Sequence, residues 1–354
     1  MNLNIKTFRY LLSVTTLLLL ACKPGVETPI VNPVPLVTPT VLDTNFVKGA
    51  DISWVTEMES KGLKFYNKNG VQTECFALMK EIGMNAIRIR VWVNPANKFN
   101  GIDDVIAKCI RAKNLGLKLL IDFHYSDNWA DPGKQIKPAA WSTASFSVLK
   151  DSLKNHTLSV LTQLKNAGIN PTWVQVGNET DDGILWPEGK ASLSMQNFAQ
   201  LIGTGYAASK LIFPNAKVMV HVSNGWNNSL FRWIFDGLKN NGVQWDIIGM
   251  SLYPTYTSGG WQSVNNLCLQ NMNDMVSRYN TPIMVVEIGM PWDNANDAKL
   301  FIQDLITKVK SVNGKKGLGV FYWEPESYNN WQGYSLGAFD NTGKPTIALE
   351  PFLN

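Results

Sequence analysis

Two short apolar segments each run into a glutamate: Trp173-Val174-Gln175-Val176-Gly177-Asn178-Glu179 and Pro282-Ile283-Met284-Val285-Val286-Glu287. A carboxylate that closes a buried strand pays a desolvation cost unless something at that end uses it. Two such groups can divide the labour of acid and base, one holding a proton for a leaving group while the other stays ionised. That division is what cleavage of a glycosidic bond requires. The plainer role for each Glu is a solvated loop residue or a structural ion pair, and Asn178 beside Glu179 weighs against it there.

For Glu179 and Glu287 to converge, their strands must share one sheet that brings its C-terminal ends together. From Val47 onward, short apolar or alternating runs exchange regularly with stretches of helical period. The predicted strands are Lys48 to Trp54, Ala86 to Val93, Leu117 to Phe123, Trp173 to Asn178, Lys217 to Val222, Asp246 to Leu252, Pro282 to Glu287 and Leu318 to Trp323. The predicted helices are Val71 to Ile82, Ile102 to Leu115, Phe146 to Ala167, Ser194 to Ile212, Leu230 to Lys239, Val264 to Arg278 and Ala295 to Val312. Glycines at Ile82-Gly83 and Leu115-Gly116 sit where a helix stops in a left-handed cap. Strands alternating with helices in this way predict a closed (β/α)8 barrel, a TIM barrel, as a single catalytic domain over 46–354. No Gly-x-Gly-x-x-Gly follows the first strand, which counts against dinucleotide binding.

In such a barrel the strand ends carry the chemistry, and here they are polar and aromatic in succession. They offer Asp51 and Trp54 on the first; Arg88, Arg90 and Trp92 on the second; His124 and Tyr125 on the third; Asn178 and Glu179 on the fourth. Further on come His221 with Trp226, Tyr253, Glu287 with Trp292, and Trp323. The residues other than the two glutamates are candidates for substrate binding. Asn178 beside Glu179 suits an acid/base, and an arginine with the Tyr253 hydroxyl suits an ionised Glu287, but the residues alone leave the order of the two roles open. A retaining enzyme would hold the two carboxyl groups about 5 to 5.5 Å apart.

Composition narrows the classes further. The chain has 354 residues and a net charge of +4 without long basic runs, so the footprint of a nucleic-acid binder is missing. Its 13 Trp and 10 Tyr exceed what a core needs and would suit the apolar faces of sugar rings. Only three His are present, at no zinc spacing, and no cofactor is required. Asp293 and Asp297, in Asp293-Asn294-Ala295-Asn296-Asp297, offer oxygen ligands for a structural calcium without EF-hand spacing; the competing role is to cap the next helix. Cys75 and Cys109 lie in apolar helical contexts that favour buried thiols over a bridge between neighbouring helices.

At the N-terminus, Lys6 and Arg9 precede the apolar run Tyr10 to Leu20, which is too short to span a bilayer and reads as an export signal over 1–21. Leu19-Leu20-Ala21-Cys22 resembles a bacterial lipoprotein cleavage box, which implies a mature chain beginning at a lipidated Cys22. Pro24, Pro29, Pro33, Pro35 and Pro39 make 22–45 an extended tether. The expectation is a monomer, exported and lipid-anchored at the bacterial outer membrane or cell surface, with a polysaccharide as its partner.

The strand-end segments also resemble a known family. Gly49-Ala50-Asp51-Ile52-Ser53, Asn85-Ala86-Ile87-Arg88-Ile89-Arg90-Val91-Trp92-Val93-Asn94-Pro95, Asp122-Phe123-His124-Tyr125-Ser126-Asp127, Trp129-Ala130-Asp131-Pro132-Gly133-Lys134-Gln135, Pro138-Ala139-Ala140-Trp141 and Val176-Gly177-Asn178-Glu179 are similar to family 53 of the glycoside hydrolases, the arabinogalactan endo-β-1,4-galactanases. The resemblance implies endo-acting, retaining hydrolysis of β-1,4-galactan in type I arabinogalactan, with Glu179 as acid/base and Glu287 as nucleophile. The clan's second-strand arginine aligns best with Arg88, while Arg90 lies nearer the rim. Some members hold a calcium in a long loop after the seventh strand, a stretch that is short here. The alternatives are a retaining β-mannanase or β-glucanase of the same clan, and a surface lipoprotein that binds glycan without cutting it.

Overall fold

Eight parallel strands pair in chain order, and β8 returns to β1 to close the barrel. The computed structural model describes residues 46–353; the expected signal peptide, the tether and Cys22 lie outside the described residues. The strands are β1 (Val47–Asp51), β2 (Ala86–Val91), β3 (Lys118–Phe123), β4 (Trp173–Val176), β5 (Lys217–Val222), β6 (Ile247–Leu252), β7 (Ile283–Ile288) and β8 (Gly317–Trp323). Around them lie α1 (Val55–Ser60), α2 (Cys75–Glu81), α3 (Ile102–Asn114), α4 (Phe146–Asn166), α5 (Met195–Ile212), α6 (Asn228–Asn240), α7 (Gly260–Tyr279) and α8 (Ala295–Lys310).

The boundaries depart from periodicity where local chemistry intervenes. β1 stops at Asp51, because the next residues turn into the short helix α1, which the sequence pattern did not single out. α2 starts at Cys75, since Gln72 bridges Tyr66 and the Glu74 side chain caps the amide of Ala77. β4 ends at Val176, where Gly177 takes φ +85°; a Cβ there would also lie 2.6 Å from Thr180 Cγ2. Cys75, Cys109 and Cys268 are buried free thiols.

Alternation along the strands builds two cores. Outward side chains such as Ile87, Ile89, Ile121, Val174 and Val220 pack beneath the helices. Inward side chains begin with an apolar plug of Val47, Ala86, Leu120, Trp173, Met219, Ile247, Met284 and Phe321. The ring of Phe321 fills the barrel axis so fully that a Cβ on Gly49 would come within 2.3 Å of it. Two or four residues further on, the same inward rows turn polar: Asp51, Arg88, Asp122, Gln175, His221 and Ser251, all buried. The plug gives that polar layer a rigid floor.

β7 breaks the alternation. Met250 pairs with Val285, but Ser251 pairs with Glu287, so one extra residue of β7 is taken up between them. Val286 belongs to the interior plug, and strict alternation would therefore send Glu287 outward. The bulge re-aims it to the mouth of the barrel, opposite Ser251.

Candidate active site

Both glutamates open onto one cleft of about 510 Å³ at the C-terminal end of the barrel, walled also by His124, Trp129, Asn178, Asn224, Tyr253, Trp323 and Tyr334. Glu179 stands in the turn after β4 with φ +44°, a left-handed conformation that a non-glycine residue adopts at a cost of about 1–2 kcal/mol. The turn is held from above by Gln135, whose amide donates to the Asn178 carbonyl at 2.8 Å, and by Asn178 Nδ2 donating to the Ala130 carbonyl at 2.8 Å. The third-strand loop thus acts as a brace on the fourth-strand glutamate.

Arg88 organises the floor. Its Nη1 lies 2.8 Å from Asp51 Oδ2 and 2.9 Å from Glu287 Oε1, and its Nη2 lies 2.9 Å from Asp122 Oδ2. Nη2 also donates to Asn178 Oδ1 at 2.8 Å, and Nε to Gln175 Oε1 at 3.2 Å. The five donors of a planar fork serve three carboxylates and two amide oxygens at once, more than the three donors of a lysine can. The Tyr253 hydroxyl donates to Glu287 Oε2 at 3.0 Å.

Arg90 has a different task. It is ion-paired with Glu324, and its guanidinium lies 4.4 Å from the ring centroid of Trp129 and 5.4 Å from those of Trp54 and Trp92. Among the described residues its Nε and Nη2 have no hydrogen-bond partner, so the ring faces carry that part of its charge. Of the two arginines proposed from sequence, Arg88 is the one ion-paired with either glutamate, Glu287.

The electrostatics separate the pair. Burial raises the pKa of Glu179 well above the ordinary carboxylate value, and the charge of Glu287 raises it further. Burial also raises Glu287, but Arg88 opposes this and holds it to about 7. The proton of the pair therefore resides on Glu179, and Glu287 is the carboxylate that ionises first.

The other residues singled out from sequence fall into three groups. His124, Asn178, Tyr253 and Trp323 line the cleft with the glutamates. Asp51, Trp54, Arg88, Arg90, Trp92 and His221 are buried beneath or beside it. His124 joins the two layers: Nε2 donates to Asp122 at 3.0 Å, while Nδ1 accepts from the Trp92 indole at 3.3 Å and the Ala130 amide at 3.2 Å.

Three residues depart from the expectation. Tyr125 adopts φ +52°, stacks on Phe123 and bonds Thr157 at 2.9 Å, which buries it between barrel and α4 and away from the cleft. Trp226 lines a separate groove with Arg232 and Asp274 on the α6/α7 flank. Trp292 is half-buried, its amide bonded to the Ser335 carbonyl, and it is not among the cleft walls.

Cleft residues that were not among the substrate contacts proposed from sequence include Trp129, Ser223, Asn224, Ser251 and Tyr334. Ser251 had a signal: it lies on β6 two residues before Tyr253, the first residue past the strand, and so points the same way. Trp54, Trp129, Trp323 and Tyr334 form a cluster with centroids 4.7 to 5.8 Å apart, an aromatic wall on one side of the cleft.

Asp293 and Asp297 are exposed. Asp297 accepts from Asn294 Nδ2 at 2.9 Å and stands in the first turn of α8, where its charge favours the helix N-terminus. Among the described residues no three His, Cys, Asp or Glu side chains are grouped to hold a metal ion.

Comparison with known proteins follows the same lines. The profile of glycosyl hydrolase family 53 matches residues 47–300 and 294–352. The chain is 35% identical over 304 residues to an arabinogalactan endo-β-1,4-galactanase of Thermothelomyces thermophilus, covering 80% of this chain and 90% of that one. It is 32% identical over 313 residues to an endo-β-1,4-galactanase of Bacillus subtilis, covering 80% and 71%. Among solved structures, a fungal β-1,4-galactanase superposes with a TM-score of 0.80 at 32% identity, covering 86% of this chain and 98% of that one. The family 53 catalytic domain of Ignisphaera aggregans superposes with a TM-score of 0.80 at 30% identity, covering 91% and 98%.

Proposed function

The chain belongs to glycosyl hydrolase family 53, and from that premise we propose that it is an endo-acting β-1,4-galactanase working with retention at the anomeric carbon. Relatives bearing the galactanase name support the substrate, β-1,4-galactan of the type found in arabinogalactan side chains. The observation that carries the mechanism is the asymmetry of the two carboxyls: Arg88 sits 2.9 Å from Glu287, and among the described residues no cation is ion-paired with Glu179.

In the first step Glu287 attacks the anomeric carbon while Glu179 gives its proton to the departing glycosidic oxygen. A galactosyl ester on Glu287 forms as the C–O bond to the leaving sugar breaks. In the second step Glu179, now ionised, takes a proton from water, and the hydroxide displaces Glu287. Tyr253 keeps Glu287 Oε2 oriented through both steps. The aromatic wall of Trp129, Trp323 and Tyr334 offers apolar faces to sugar rings, and Asn178 and Asn224 offer hydrogen bonds to hydroxyls.

Release of galacto-oligosaccharides from β-1,4-galactan, lost in Glu287→Ala, is the expected result. Cleavage of β-mannan or β-glucan with galactan left intact would overturn the substrate assignment. Tight binding of galactan without new reducing ends would overturn the catalytic one.

The proposal extends to place. Leu19-Leu20-Ala21-Cys22 and the Pro-rich stretch that follows support export and lipid attachment at Cys22, with a monomeric catalytic domain held off a bacterial membrane surface. Metabolic labelling with a fatty acid should mark the wild-type chain and not Cys22→Ala; equal labelling of both would refute it.

A further inference from the structure

His221 stands at the end of β5, where the sequence placed it as a substrate contact, yet its ring is fully buried and is not itself among the residues that wall the cleft. Its Nε2 lies 2.8 Å from Ser251 Oγ, and that Oγ lies 2.6 Å from Glu179 Oε1. His221 of β5 and Ser251 of β6 therefore form one line that ends on the acid in the turn after β4.

The direction of the line follows from its far end. The backbone N–H of Glu179 points at His221 Nδ1 at 3.3 Å, and a backbone N–H can only donate. Gln175 Nε2, also a donor, lies 3.1 Å from the same nitrogen. Asn178 Oδ1, which accepts from Arg88 Nη2 at 2.8 Å, is 3.0 Å away as well, but a proton on Nδ1 would meet the Glu179 N–H head-on. Nδ1 is thus the lone-pair nitrogen. The ring is neutral, because burial and the nearby Arg88 and His124 push its pKa well below the ordinary range. Its one proton is on Nε2 and goes to Ser251 Oγ. The Ser251 proton then goes to Glu179 Oε1.

We propose that His221 and Ser251 form a one-way donor relay that keeps Glu179 Oε1 an acceptor, so that the acid proton stands on Oε2 for the departing glycosidic oxygen. Both are positioning residues for the protonation step. The proposal rests on Glu179 being the acid. The charged groups around Glu179 are Glu287, Asp181 and Arg88, none of which the test below alters.

The test compares Ser251→Ala, Ser251→Thr and Glu179→Ala on two substrates: galactan, whose leaving sugar needs a proton, and a 2,4-dinitrophenyl β-galactoside, whose leaving phenolate does not. For Ser251→Ala we expect kcat on galactan to fall about 10- to 100-fold, the range of one charge-assisted hydrogen bond, with KM little changed. The burst of dinitrophenolate should be as fast as in wild type, and Ser251→Thr should recover most of the loss. Loss of the donor should also move the alkaline limb of the galactan profile to higher pH.

An alkaline limb that moves to lower pH would mean that Glu179 donates to Ser251, which overturns the relay's direction. Equal loss on both substrates would mean a merely structural part for Ser251. The Glu179→Ala arm separates the failures. If that variant loses activity on galactan and keeps the burst while Ser251→Ala shows no such selectivity, the relay alone falls. If Glu179→Ala itself keeps its activity on galactan, the acid assignment falls with it.

Discussion

Replacing the nucleophile by its neutral isostere, Glu287→Gln, should stabilise the fold at alkaline pH while it abolishes catalysis. Burial, only partly opposed by Arg88, raises the folded-state pKa of Glu287 from 4.5 to about 7. A raised carboxyl contributes stability that is fully present below its unfolded value and is lost as pH rises through the folded one. The window here therefore runs from about pH 4.5 to about 7. At about 1.4 kcal/mol for each tenfold change in proton affinity, the ionised wild-type side chain costs about 3 kcal/mol at pH 8.

Glutamine keeps the shape and does not ionise, so the variant escapes that cost. Arg88 still has Asp51 and Asp122 to neutralise it. Urea unfolding of both proteins at pH 4.5, 6 and 8 would measure the difference. It should be near zero at pH 4.5 and grow to about 3 kcal/mol in favour of the variant at pH 8, or about 6 °C in melting temperature. A variant less stable than wild type at pH 8, or a difference that does not change with pH, would refute the reasoning.

Other outcomes follow from the same contacts. Tyr253→Phe removes the hydroxyl 3.0 Å from Glu287 Oε2; kcat/KM on galactan should fall about 10- to 100-fold, and the acid limb of its pH profile should move up, as a rate-versus-pH series would show. Arg88→Lys keeps the charge but has three donors for the five acceptors around it, so about 3 kcal/mol or more of stability should be lost in urea melts along with most activity. Trp323→Ala, at the aromatic wall, should raise KM for galactan by about 10-fold or more with a smaller change in kcat, as steady-state kinetics would register.

Most of the barrel and the crown of the site were legible in the sequence because two periods coincide: short runs of period two alternate with helical ones, and within each strand the inward row passes from apolar to polar. Arg88, Asp122, Gln175 and His221 all follow two residues after an interior apolar side chain. Glu287 is the exception, since the bulge in β7 overrides the alternation that would have turned it outward. A one-residue irregularity leaves no mark in the pattern of apolar residues.

Residues past the strand ends were harder to place, because loop backbone, not strand period, decides their direction. The positive φ of Tyr125 folds it back under α4, and Trp226 belongs to the flank between α6 and α7. Trp129 and Tyr334 reach the cleft from loops distant in sequence. The short helix α1 was hidden because its six residues hold too little period to be distinguished from a strand end.

The stereochemistry of azide rescue tests the division of labour between the two glutamates most directly. With an aryl β-galactobioside and added azide, Glu179→Ala should accumulate the galactosyl ester on Glu287 and release it as the β-galactosyl azide. Glu287→Ala should give the α-galactosyl azide, since azide then takes the place of the missing carboxylate. Proton NMR of the products reads the anomer without ambiguity. The reverse pattern would exchange the two roles, and rescue of neither variant would contradict the double displacement on which the account stands.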